Sequence, residues 1–226
     1  MHRSYAPLVI AAASLLAVAP ARAADDFSPA ERALFMSNQL VHAQPPAVIH
    51  YRYTKSGSLE PGFEDSATLT VKRRADGSCC AASGDFLSGA RRLALPEVEQ
   101  PEGNPVLLYF LERDIREMSR LTKGQPNYFR KRIRMAVYNG AQISETSVAY
   151  RGKNVAARRI TIAPYLDDPM RSRYENLATK QYDFILSDAV PGDIVAITAH
   201  VDGSGGAAPV LVEQLVVDGA AAPAVH

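Results

Sequence analysis

The chain has 226 residues, of which 47% are hydrophobic and 22% charged, and it contains no tryptophan. This composition is typical of a globular protein and excludes a disordered, collagen-like or disulfide-knot chain. Lysine and arginine number 25 against 24 aspartate and glutamate residues, a formal net charge of +1. Because no overall field attracts polyanions, we expect no nucleic-acid partner and only local charged contacts.

The N-terminus has the three parts of a secretory signal peptide. A positive start precedes an apolar run over residues 8–19 and the small-residue site Ala21-Arg22-Ala23. The apolar run is shorter than the roughly 20 residues of a membrane-spanning helix. We therefore predict cleavage after Ala23, residues 1–23 being the signal peptide, export to the periplasm or the medium, and no transmembrane segment in the mature chain.

Period-two alternation predicts strands before and after a central helical pattern. A short helix is expected to begin at Ser28, a good N-cap followed by proline and, three residues on, glutamate. The acidic, proline-broken residues 96–103 are expected to form an exposed loop. The predicted strands lie near residues 48–54, 66–72, 78–87, 147–151, 155–164, 181–187, 194–201 and 210–217.

The central pattern predicts a helical hairpin. Asn104 is a good N-cap and Pro105 a good first helical residue, and a second helix is expected from Pro126 to Tyr138. The apolar stripes comprise Leu107, Leu108, Leu111, Ile115, Met118 and Leu121 on the first helix, and Phe129, Ile133, Ala136 and Val137 on the second.

Together these elements predict an α+β fold, a curved antiparallel β-sheet that forms an incomplete barrel and is covered by the helical hairpin. Hairpin-length turns link the strands, whereas a parallel sheet would need helical crossovers. We expect a single β-rich domain over residues 24–217, with the helical insertion at residues 104–139 and a flexible tail at residues 218–226.

Two adjacent cysteines, Cys79 and Cys80, are the only ones in the chain. Neighbouring side chains on a strand point to opposite faces, so the sequence favours two reduced, half-buried residues. A disulfide between the neighbours, or a bridge to another molecule, stays open as an alternative.

The sequence contains no motif that names a reaction, such as HExxH or GxSxG, and we expect no catalytic residue, no metal and no cofactor. His50 and His200 are read as surface histidines on strands. A hydrolase that uses one of them with a carboxylate is the third and weakest hypothesis.

Charged clusters are also read as structural. We expect Asp167 and Asp168 to be neutralised by the nearby Arg171 and Arg173. Cations cluster on the second helix, and the alternative function is an envelope accessory protein that docks on a partner complex, or transiently on lipid headgroups, through this basic hairpin. The predicted contact residues are Arg130, Lys131, Arg132 and Arg134.

The order of elements resembles the periplasmic LolA/LolB lipoprotein-carrier superfamily over residues 28–217. The resemblance rests on a leading helix, a meander that begins at Val48-Ile49-His50-Tyr51-Arg52-Tyr53, a helical insertion, and a second meander that begins at residues 148–162. It implies an incomplete barrel closed by helices, an apolar cavity for acyl chains, and an arginine near the first strand that helps to hold the helical lid. Arg52 is the candidate here.

The favoured hypothesis is an exported, non-catalytic protein that binds or carries a lipid or other apolar molecule between sheet and helices. One acyl chain buried there would contribute on the order of 10 kcal/mol at about 0.8 kcal/mol per methylene. The same side chains could instead fill the space as a solid core. The predicted cavity residues are Tyr51, Tyr53, Leu69, Val71, Leu107, Leu111, Ile115 and Phe184.

Overall fold

The computed structural model describes residues 27–225, so the predicted signal peptide lies outside the described residues. Nine antiparallel strands form one sheet. They are β1 (Ala47–Ser56), β2 (Phe63–Arg73), β3 (Cys79–Phe86), β4 (Leu93–Glu99), β5 (Gln142–Tyr150), β6 (Lys153–Ile162), β7 (Gln181–Leu186), β8 (Ile194–Val201) and β9 (Leu211–Val217).

The helices are α1 (Pro29–Glu31), which continues as a π-helical turn (Arg32–Met36), α2 (Pro105–Thr122) and α3 (Pro126–Asn139). We call residues 29–36 the N-terminal helical segment. Short 3-10 turns occur at Gln39–Ala43, Gly89–Arg91, Arg171–Arg173, Glu175–Thr179 and Ser204–Gly206.

The strand order is β4-β3-β2-β1-β9-β8-β7-β6-β5, which joins two meanders through the antiparallel pair β1 and β9. The two edge strands β4 and β5 do not meet, so the sheet stays open. The predicted α+β fold, a curved antiparallel sheet forming an incomplete barrel under a helical hairpin, is confirmed.

Alternating side chains give the sheet one apolar face, and the helices pack on it. Ile49 of β1 lies opposite Leu69, and Tyr53 lies opposite Leu215 of β9, so these residues share the face. The ring of Phe110 from α2 lies 6.4 Å from the ring of Tyr53. The core therefore sits between the sheet and α2 and α3.

Asn104 begins α2 as predicted and also fixes that helix to the sheet. Its side-chain oxygen accepts from the Val106 amide at 3.1 Å, while its Nδ2 donates to the Tyr51 hydroxyl and the Gly192 carbonyl, each at 2.9 Å. Its own amide donates to Gln39 at 2.7 Å. Because Asn104 is buried, these bonds set the height of α2 above β1.

Two expectations for the first meander are wrong. The loop predicted at residues 96–103 overlaps β4, the edge strand, whose outward-facing acidic residues and proline are tolerated there because one side lacks a neighbour. Cys79 and Cys80 form a disulfide with each other. Both sulfur atoms lie on one side, 3.9 and 3.7 Å from the Leu40 carbonyl oxygen, rather than on opposite faces.

Residues after β9 contact the sheet. Ala220 pairs with Tyr150, and the Gln214 side chain donates to the Pro223 carbonyl at 2.9 Å. Part of the segment predicted as a flexible tail therefore lies against the outer face of the sheet.

Candidate functional site

A groove of about 690 Å³ lies on the outer side of the helices rather than between the helices and the sheet. Its walls are the N-terminal helical segment, α2 and α3. The apolar lining consists of Phe27, Phe35, Met36, Leu108, Tyr109, Leu111, Ile115, Ile133 and Val137, and the charged lining of Glu31, Glu112, Arg116, Arg130 and Arg134. We call this space the outer groove.

The N-terminal wall is held by a capping box. The Ser28 hydroxyl accepts from the Glu31 amide at 3.1 Å, and the Glu31 carboxylate accepts from the Ser28 amide at 2.8 Å. The same hydroxyl donates to the Val137 carbonyl of α3 at 3.2 Å. Ser28 therefore both starts the segment and fixes it against α3.

Several large apolar side chains of this groove face solvent. Phe27 is 42% exposed, Met36 40% and Leu108 54%. The sequence stripe had placed Leu108 in the core, but the row that packs on the sheet is the one that contains Leu107. Leu108 is the next residue along the helix after Leu107, so its side chain points in a different direction and faces the groove.

The charged side chains of the groove differ in whether they are paired. The Glu112 carboxylate accepts from Arg116 at 3.2 Å and from Arg130 at 2.8 Å. Glu31 belongs to the capping box. Within residues 27–225, Arg134 is exposed and makes no ion pair. The groove thus combines an apolar wall with an arginine that makes no ion pair with a carboxylate of the described chain.

The predicted cavity residues are all buried in the core under the hairpin. Tyr51 is 1% exposed, and five others have no accessible surface. No space the size of a water molecule therefore adjoins those five. Leu111 and Ile115 are buried as well and also line the outer groove. The five are Tyr53, Leu69, Val71, Leu107 and Phe184.

Arg52 lies elsewhere. It alternates with Tyr51 and Tyr53 along β1 and is exposed on the face of the sheet opposite the helices. In this arrangement its side chain points away from the helical hairpin, so the groups that hold α2 must come from other positions.

The residues that do hold α2 form a buried ionic cluster of Lys55, Arg113, Asp114, Lys180 and Glu213. Asp114 of α2 binds Lys180 and also accepts from the Tyr182 hydroxyl. Arg113 donates to Glu213 of β9 at 2.7 Å. Asp114 has no accessible surface, and Lys180 and Glu213 are each 1% exposed. The cluster therefore joins α2 to the sheet from inside the core.

Burial and charge act in opposite senses in this cluster. Burial raises the pKa of Asp114, although Lys180 works against it. Burial also penalises the Glu213 carboxylate, but the positive charges of Lys180 and Arg113 prevail and lower its pKa. The neighbouring cations therefore favour the charged form of Glu213 more than that of Asp114.

Of the four cations predicted to contact a partner, two are internally paired. Arg130 binds Glu112, and Arg132 lies 2.9 Å from the Asp168 carboxylate. Lys131 and Arg134 are exposed and form no ion pair with the described residues. Docking on an envelope partner through this helix stays a prediction.

The acidic pair at residues 167 and 168 is not neutralised as expected. Asp168 is buried and is bound by Arg132 of α3 and by the Tyr128 hydroxyl at 2.6 Å, rather than by Arg171 and Arg173. Helix α3 therefore supplies the compensating charge from a distant part of the sequence.

The histidines separate into different environments. His50 is exposed, as predicted, whereas His200 is 4% exposed, because β8 is buried on both faces. The His200 ring lies 4.0 Å from Asp202. His42, the third histidine available to the folded domain, is exposed, and its Nδ1 lies 2.6 Å from Asp193. Burial raises the pKa of Asp193 to about 6.

Within residues 27–225, no group of three or more histidine, cysteine, aspartate or glutamate side chains is placed to hold a metal ion. No helix in this part of the chain is both long and apolar enough to cross a membrane.

No family model and no curated protein matches the chain. The solved structures to which the chain is similar include three with low sequence identity and low TM-scores. Lipoprotein LppX of Mycobacterium tuberculosis has 10% identity and a TM-score of 0.31, with 83% of this chain and 93% of that chain covered. LprF of Mycobacterium bovis has 12% identity and a TM-score of 0.32, with 88% and 96% covered.

The third is the MucA/MucB complex of Pseudomonas aeruginosa, with 13% identity, a TM-score of 0.30, and 83% of this chain and 56% of that chain covered. Values at this level carry no information on a ligand or an activity.

Proposed function

We propose that this is an exported, non-catalytic protein that binds a lipid or other apolar molecule. The acyl chain, or other apolar part, of that ligand lies in the outer groove. The observation that carries the proposal is the groove itself, with nine apolar side chains around 690 Å³. This volume lies within the range of small-molecule sites, about 300–1,000 Å³. The signal-peptide pattern at residues 1–23 supports export.

Exposure of the lining supplies the driving force. Large apolar side chains that cluster at an exposed groove can mark a ligand-binding site. Phe27, Met36 and Leu108 each keep 40% or more of their surface exposed at the groove. Each methylene that an acyl chain buries against them contributes about 0.8 kcal/mol.

The outer groove is a different location from the cavity predicted between sheet and helices. An acyl chain in the outer groove leaves the packed core under α2 intact. An acyl chain between the sheet and the helices would require α2 to separate from its buried ionic cluster. Separation would leave Asp114 and Glu213 without their partners in the core, which is costly. The groove needs no such rearrangement.

The test is direct. The purified protein is extracted with organic solvent for mass spectrometry, and binding of dodecanoate is measured by displacement of the neutral fluorophore N-phenyl-1-naphthylamine. Leu108→Gln should weaken binding about tenfold, because a leucine contact is worth roughly 1.5–3 kcal/mol when fully buried. Absence of both co-purified lipid and fluorophore binding would contradict the proposal.

Val48→Gln is the matched control. Val48 and Leu108 are equally exposed, at 54%, but Val48 lies on β1 outside the groove. Binding should be unchanged in this variant, and both variants should unfold at the temperature of the unaltered protein. Equal weakening in the two variants would show that the ligand does not lie in the groove.

A further inference from the structure

The charged lining of the outer groove indicates which acyl compounds it selects. Three arginines face two glutamates there. Glu112 is bound by Arg116 and Arg130, and Glu31 is bound by the Ser28 amide. Arg134 is the arginine of the lining without a carboxylate partner among residues 27–225.

The position of Arg134 places this charge at the apolar surface. It lies between Ile133 and Val137 on α3, both of which are buried and line the groove, and one helical turn after Arg130. A guanidinium group can bind a carboxylate through two parallel hydrogen bonds, and it keeps its charge at every physiological pH. An amphiphile whose chain lies on the apolar wall could thus place one anionic group against Arg134.

We propose that the outer groove is selective for fatty acid anions, with the carboxylate bound by Arg134. This inference rests on the proposed function and adds the class of ligand to it. Three arginines against two glutamates give the lining a net charge of +1, which matches one carboxylate. A fatty alcohol or ester of the same length fills the same apolar wall but leaves the arginine charge without a partner.

The experiment compares dodecanoate with dodecanol in the fluorophore displacement assay at pH 8, where the fatty acid is ionised. Dodecanoate should displace the neutral fluorophore at a concentration at least tenfold lower than dodecanol. Arg134→Gln should remove this difference while leaving dodecanol binding unchanged, and Arg134→Lys should restore part of it.

Lys131→Gln is the matched control, because Lys131 is an exposed, unpaired cation on the same helix within the described chain but lies outside the groove. The Lys131→Gln variant should prefer dodecanoate to the same degree as the unaltered protein. Both Arg134 variants and Lys131→Gln should also unfold at the temperature of the unaltered protein, since neither Arg134 nor Lys131 is buried.

The outcomes separate the two proposals. Equal binding of dodecanoate and dodecanol would overturn the selectivity and leave the proposed function standing. A preference that Lys131→Gln abolishes would overturn the assignment to Arg134. No binding of either compound would overturn both proposals, as would a dimer that Leu108→Gln converts to a monomer, because a second copy of the chain would then occupy the groove.

Discussion

Asp114 and Lys180 are the residues whose placement is least expected from their chemistry. Both side chains have almost no accessible surface, yet they bind each other between α2 and the sheet. Removing both charges from water costs several kcal/mol per ion, and only good geometry with further hydrogen bonds offsets that cost. The Tyr182 hydroxyl supplies one such bond to Asp114. The pair therefore fixes where α2 sits more than it adds to total stability.

We predict that Lys180→Met lowers the free energy of unfolding by about 3 kcal/mol at pH 7, because it leaves Asp114 buried without its cation. Burial already raises the pKa of Asp114, and loss of Lys180 raises it further. In the variant, the folded state binds the Asp114 proton more tightly than the unfolded state does, so the stability of the variant falls as pH rises above about 4. The loss of unfolding free energy relative to the unaltered protein should therefore be smaller at pH 4 than at pH 7. Urea unfolding at both pH values measures this.

The control is Lys72→Met. Lys72 forms an ion pair with Glu97 at 3.1 Å, but its side chain is 55% exposed, so the substitution should cost less than about 1 kcal/mol. The double variant Lys180→Met with Asp114→Asn should recover part of the lost stability. A cost for Lys180→Met that equals the control, or that does not change with pH, would contradict the role given to the pair.

The sequence held a partial signal for these residues. Asp114 lies three residues after Leu111 and seven after Leu107, so helical geometry places it on the buried row of α2. Lys180 has no such signal, because it precedes β7 at a position where lysines usually face solvent. Arg134 could be named from sequence as part of a basic helix, but which cations of that helix are paired, such as Arg130 with Glu112, depends on the tertiary structure.

At the scale of elements, the N-terminal helical segment is the wall of the groove that comes from the start of the described chain, and Ala30, Ala33 and Leu34 anchor it in the core. Residues 29–36 provide Glu31, Phe35 and Met36 to the lining. The Ser28 hydroxyl bonds this segment to the Val137 carbonyl of α3 and also caps its first turn. Loss of that hydroxyl should therefore loosen the first turn of the wall.

We predict that Ser28→Ala weakens dodecanoate binding about fivefold, because loss of an N-cap hydroxyl costs about 1 kcal/mol of local stability. Amide hydrogen exchange in residues 29–36 should accelerate, while exchange in β1 and β9 should stay the same. The exposed Ser144 on β5 provides the control, and Ser144→Ala should change neither quantity. Unaltered exchange in residues 29–36 of Ser28→Ala would show that the cap does not hold this wall.

Elements with strong periodicity could be predicted from sequence, and an edge element could not. Strands β7, β8 and β9 lie within a residue of the ranges expected from alternation, and both helices begin at their predicted prolines. β4 was missed because its sequence, with a proline and several acids, is that of a loop. β4 is a strand because its backbone pairs with β3, and this pairing leaves no pattern in the local sequence of β4.

At the scale of the whole molecule, sequence periodicity predicts which face of the sheet is apolar but not whether the space above it is filled. Tyr53, Leu69 and Phe184 would show the same alternation over a hollow or a solid core. Filling depends on how closely α2 approaches, which is set by the Asn104 bonds and the buried ionic cluster. The outer groove depends in turn on the angle between three helical elements that are distant in sequence.

The two sites for an acyl chain can be distinguished by the reactivity of one introduced thiol. Val71 has no accessible surface under the hairpin, and the native cysteines are bonded to each other. We predict that a maleimide labels Val71→Cys slowly and at the same rate with and without dodecanoate, because a ligand in the outer groove leaves the core closed. Val48→Cys, at a position 54% exposed, should label quickly in both conditions. If dodecanoate instead accelerates labelling of Val71→Cys alone, the helices separate from the sheet when the ligand binds, and the ligand lies between them.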